Sequence, residues 1–174
     1  MKHSIRILIL TLCTALSISA CSGDDNAAKK AAAAKAAAQP TAPVAMPTDA
    51  KNVDAWKAYL KDVVIHNMDG VQTRSPYMYF VPSGDDADVK SARDNQLDNV
   101  KNVVARGVLP GNMMAFGGPD SKATSDLVLA AFQGAKAGSM KNVRFLFIGT
   151  ADDSARVKAA VDPTGVDFRN VEMK

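Results

Sequence analysis

Residues 49–174 predict a three-layer α/β domain, a mainly parallel sheet of about four strands between flanking helices. Three features carry that expectation. Segments with helical apolar spacing alternate with short strand-like runs, joined by short connections. The strand candidates are mostly continuous apolar runs, as parallel strands covered on both faces are. Three of them also end alike, in an aromatic residue, a glycine turn and an Asp or Ser that opens a helix.

Each element has its own warrant. Val53, Trp56, Tyr59, Leu60 and Val64 recur at three- and four-residue intervals, predicting a helix that runs to about Met68 and stops before Gly70. Tyr77 to Val81 is a short apolar run bracketed by Pro76 and Pro82 and reads as a strand; both of its faces are apolar, so cover on both sides is expected. Val89, Ala92, Leu97, Val100 and Val104 mark a long second helix that closes at Gly107. Asn112 to Phe116 is the next strand, and Asp126 to Phe132 belongs to a third helix ending near Gly134 or Gly138. Val143 to Ile148 gives the clearest strand. A fourth helix from Asp152 to Ala160 is halted by Pro163, and Val166 to Val171 alternates apolar and polar residues as an edge strand does. Strand order does not follow from these patterns.

The repeated strand ends begin at Phe80, Phe116 and Phe147, spaced by 36 and 31 residues. Each interval is one strand-helix unit, so the echo is repeated local physics and not a solenoid. In an open parallel sheet these loops share the carboxyl edge, where ligands usually bind. They gather Asp85, Asp86, Asp120, Ser121, Asp152 and Asp153, a set that suits either a hard cation held by carboxylates or a small anionic ligand held by helix amino ends. The same residues are also what helix caps and tight turns require, and that explanation needs no ligand. Aspartates at helix starts would repel phosphate, and no loop matches a phosphate-binding G-x-x-x-x-G-K-[ST] or a spaced G-x-G-x-x-G, so nucleotide binding is disfavoured.

Other chemistry is sparse. His66 is the only histidine beyond His3; near the end of the first helix it is better placed to complement the helix dipole than to act as a base. Trp56, Tyr59, Met113 and Met114 are spaced as core residues. Glu172 is the one glutamate, so no carboxylate pair for glycosidase chemistry is evident. No catalytic residue, metal site or cofactor is assigned. The chain has a formal net charge of +3, but from residue 49 onward basic and acidic residues balance and do not cluster, so nucleic acid is not an expected partner.

The first 22 residues carry an address. Lys2 and Arg6 flank the start of an apolar run from Ile7 to Ile18 that ends in small residues, the layout of a bacterial export signal, and the run is shorter than the about 20 apolar residues a stable span needs. Ile18-Ser19-Ala20-Cys21 resembles the lipobox of bacterial lipoproteins. That resemblance implies a signal peptide over residues 1–20 and acylation of Cys21 with palmitate-type chains, giving a stable membrane anchor. For a Gram-negative source, Ser22 resembles the residue type that permits sorting to the outer membrane. An ordinary cleaved secretory signal and an uncleaved anchor are the alternatives. With Cys13 removed and Cys21 lipidated, the domain keeps no cysteine for a disulfide or zinc site.

Residues 21–48 hold the cysteine and a tether, alanine- and lysine-rich and then punctuated by Pro40, Pro43 and Pro47. It reads as a spacer of roughly 30 Å as a coil and about 90 Å when extended. The expectation is a lipid-anchored cell-envelope protein, facing the periplasm from the outer membrane, whose domain is a non-catalytic binding, assembly or protective module. Its expected partners are membrane lipid, through Cys21, and another envelope protein or a cell-wall component. The alternative is a small-ligand or divalent-cation sensor that uses the aspartate-bearing loops.

Overall fold

A computed structural model describes residues 43–173. The export signal, Cys21 and most of the tether lie outside the described residues. Four helices and four strands alternate from Val53 onward: α1 (Val53–His66), β1 (Tyr77–Phe80), α2 (Ala87–Arg106), β2 (Met113–Gly117), α3 (Ser121–Phe132), β3 (Arg144–Gly149), α4 (Ala151–Val161) and β4 (Asp167–Glu172). A short 3-10 turn, Asp162–Thr164, follows α4, with Pro163 preventing further α-helix.

All strands are parallel, in the order β1-β2-β3-β4. Each crossover therefore steps one strand in the same direction, and crossovers of one hand then place their helices on one face. The packing follows that rule. Val100 and Val104 of α2, Val128 and Phe132 of α3, and Val157 and Val161 of α4 share a single core with Phe116 and Phe145. Among the described residues α1, which precedes the first strand, is the one helix that covers the other face, where Trp56, Leu60 and Val64 pack on Met113, Ala115, Leu146 and Ile148. The three expected layers are present.

The expected cover over both faces of β1 is not. Monotone strand order puts β1 at the sheet edge, and a lone helix is too narrow to cover four strands, so it sits over β2 and β3. Met78, on the α1 face with Phe80, is consequently exposed at 42% of its surface, while Tyr77, on the opposite face with Tyr79, is exposed at 41% because β1 is the edge strand. β4, expected at an edge, occupies the opposite one. Trp56, Tyr59, Met113 and Met114 are all buried, as core spacing predicts. Arg144 secures the α1 face from below: its guanidinium donates to the carbonyls of Asn67 at 3.0 Å and Asp69 at 2.6 Å and pairs with Asp167 at 3.0 Å. No helix among the described residues is long and apolar enough to cross a membrane.

Candidate functional site

The three echoing loops lie together at the carboxyl edge, each joining a strand to the helix after it. Two of their aspartates cap helices. Asp86 accepts from the amide of Val89 at 2.9 Å at the start of α2, and Asp120 accepts from the amide of Ala123 at 3.0 Å at the start of α3. Such a cap satisfies one of the amides a helix start leaves free and contributes about 1 kcal/mol. Glycine is needed where the second loop passes β1, because a Cβ on Gly118 would collide with the carbonyl oxygen of Val81.

The third loop departs from the pattern. Its cap is Thr150, not an aspartate, because α4 begins one residue earlier than expected; the Thr150 hydroxyl accepts from the amide of Asp153 at 3.4 Å. Asp152 is exposed. Asp153, three residues after the cap, turns inward and becomes the hub of a polar brace between α3 and α4. Its carboxylate accepts from the hydroxyls of Ser121 at 2.7 Å, Thr150 at 3.0 Å and Ser125 at 3.0 Å, and from the guanidinium of Arg156 at 3.0 Å. Ser121 Oγ also receives the amide of Thr150 at 2.9 Å. Gly149 makes this approach possible, since a Cβ there would stand 2.6 Å from that Oγ.

Arg156 extends the brace to Asp126 of α3 at 2.7 Å, and Lys122 pairs with the same carboxylate at 2.6 Å. Burial pushes the Asp153 carboxyl up, but the four donors from Ser121, Ser125, Thr150 and Arg156 together outweigh it and hold it below its ordinary range. Hydrogen bonds from Lys122 and then Arg156 hold Asp126 low, against a smaller effect of burial.

Of the six candidate residues, the structure joins Ser121 to Asp153 directly and leaves Asp152 apart. Asp85 and Asp120 line one open groove between α2 and α3, among Arg93, Lys122 and Asp126. No three His, Cys, Asp or Glu side chains gather as a metal-binding set among the described residues. His66 lies in the last turn of α1 with Nδ1 2.9 Å from the carbonyl oxygen of Asp62 and 3.5 Å from its carboxylate. Ser125, Asp126 and Arg156 carry the brace but were not legible as a group. Ser121 and Ser125 do lie one turn apart on one helix face, which is the signal available in the sequence. The chain matches no protein-family model, no curated protein and no solved structure.

Proposed function

We propose that this protein is a lipid-anchored envelope protein, tethered through acylated Cys21 and facing the periplasm, whose α/β domain binds another envelope protein or a cell-wall component without catalysis. The observation that supports the non-catalytic reading is the commitment of Ser121 and Asp153 to the brace. The Ser121 hydroxyl donates to a carboxylate, accepts a backbone amide and belongs to a buried residue, so it is turned into the brace and away from a substrate. Asp153 is held ionised by four donors, the opposite of the raised pKa a general acid needs. The cation-sensor alternative draws less support, because Asp86 and Asp120 already accept the amides of their own helices.

Two measurements test this reading. Metabolic labelling with a palmitate analogue should mark the protein and be lost in Cys21→Ser; continued labelling of that variant removes the anchor. Affinity capture of the full lipidated chain from solubilised envelope should retain a defined protein or a muropeptide at stoichiometric yield, and capture of nothing above background removes the binding module.

A further inference from the structure

The partly covered face of the sheet contains a cleft of about 330 Å³ between α1 and β1, at the lower end of the roughly 300–1,000 Å³ that ligand pockets occupy. Leu60 and Val64 form the helix wall, and Phe80, Ala115 and Ile148 form the sheet wall. Met78, half exposed, stands beside it on the edge strand. Two small residues shape the slot. Gly117 lets α1 settle, since a Cβ there would come 2.6 Å from Leu60 Cδ2, and Ala115 leaves space above β2.

The rim is charged with one sign. Lys57 and Lys61, one turn apart on α1, both line the cleft, and no acidic residue does. Neither lysine has an ion-pair partner among the described residues. The Lys57 ammonium lies 5.9 Å from the centre of the Phe80 ring, so its stem spans the apolar wall while its charge stays at the opening. An apolar slot with a cationic rim is complementary to an amphiphile whose head is an anion.

We propose that the α1–β1 cleft binds a single acyl chain bearing an anionic head, the chain lying along Phe80, Ala115 and Ile148 and the head paired with Lys57 and Lys61. The volume suits one chain and not a two-chain lipid. A free fatty acid and a lysophospholipid share this chemistry. The inference goes beyond the proposed function and does not require Cys21 to be acylated.

Photolabelling of the full chain in membrane vesicles tests it, with palmitate carrying a mid-chain diazirine and a terminal alkyne as the probe. Adducts mapped by mass spectrometry are expected on the segments containing Leu60 and Val64, and Met78 and Phe80. Excess unlabelled palmitate should suppress them and hexadecanol should not. Lys57→Glu with Lys61→Glu should cut cleft labelling about tenfold, as two attractions become repulsions, and Lys57→Arg with Lys61→Arg should preserve it. Met78→Trp, which crowds the mouth from an exposed position, should also reduce labelling, so the result does not depend on the charge variants alone. Cys21→Ser should label at the cleft like the parent, which separates this site from the anchor. A photoreactive lysophosphatidylglycerol in a parallel arm identifies which source is preferred; cleft labelling by either probe supports the proposal. Absence of cleft adducts with both probes, equal suppression by hexadecanol, or unchanged labelling in the Glu pair overturns it.

Discussion

On the face covered by α2, α3 and α4, aromatic rings form a ladder across every strand: Tyr79 stacks on Phe116 at 4.7 Å, Phe116 on Phe145 at 4.9 Å, and Phe145 on Phe168 at 5.9 Å. On the opposite face a single helix packs on smaller residues, with Ala115 where the first face has a phenylalanine beside it in the chain, and the edge strand left partly open. Strand alternation makes the two faces independent, because successive side chains point to opposite sides. One face can therefore carry the packing that holds the domain together while the other keeps a cleft. Burial of the ladder is also visible in Tyr79, whose phenol is pushed up to about 12 by burial first and Tyr77 second, against a smaller opposing effect of Arg106.

The largest separation between the faces should appear on truncating the ladder. Phe116 is fully buried and touches rings on both sides, so Phe116→Ala should lose about 3–5 kcal/mol of stability in urea unfolding. A loss below about 1 kcal/mol would mean that the three-helix face does not dominate.

The brace between α3 and α4 ranks next. Asp153→Ala removes the acceptor for three hydroxyls and one contact of Arg156, and should cost about 2–3 kcal/mol, whereas Asp152→Ala on the exposed side of the same turn should stay within about 0.5 kcal/mol. The pH dependence has a fixed sign. Asp153 and Asp126 titrate lower in the folded chain than the ordinary value of 3.8, so near that pH the unfolded chain binds more protons. Their contribution is whole above about pH 5 and is lost as pH falls through the folded values. Unfolding curves of Asp153→Asn should accordingly flatten over this acid window; an unchanged acid slope would exclude Asp153 as its source.

Much of this architecture was legible in the sequence, for physical reasons that differ by element. The helices of residues 53–66 and 87–106 announce themselves by apolar spacing and by Gly70 or Gly107 beyond their ends, although the first stops at His66, two residues short of the expected Met68, and the strands at 113–117 and 144–149 by unbroken apolar runs. Strand order was not legible, because an apolar run records that a strand is covered but not which strand lies beside it. The exposure of Tyr77 on one face and Met78 on the other escaped for the same reason: cover at an edge strand depends on how far the helices of each face reach, a property of other segments. At the carboxyl edge, Asp86 and Asp120 sit where capping chemistry places them. The Thr-Ala-Asp-Asp start of α4 offered three cap candidates within one turn, and the pairing of Arg156 with Asp126 across 30 residues depends on how two helices pack.

The caps provide a finer test of whether the carboxyl edge is structural. Asp86→Ala and Asp120→Ala should each cost about 1 kcal/mol, while the Asn variants should cost only a few tenths, because asparagine accepts the same amide. Millimolar Ca²⁺ or Mg²⁺ should leave the melting temperature unchanged. A rise of several degrees that vanishes in the Asn variants would instead show preferential binding of the cation to the folded state and revive the sensor reading.

The smallest stability effect is expected on the open face, and there it is the informative one. Met78 sits on an edge strand with 42% of its surface exposed, so truncation gives up only part of a full burial and opens no enclosed cavity. Met78→Ala should cost about 1 kcal/mol or less, several-fold less than Phe116→Ala on the ladder face. β1 keeps its ladder to β2 in that variant, since register pairs Tyr77 to Phe80 with Met114 to Gly117 through the backbone. If Met78→Ala instead costs more than about 2 kcal/mol in the full chain, the methionine must be covered by something outside residues 43–173, and the cleft beside it would be an interface already filled. A cost within the expected limit, with accelerated oxidation of Met78 relative to buried Met114 under mild peroxide, would place the side chain in water and leave the α1 face open to a ligand.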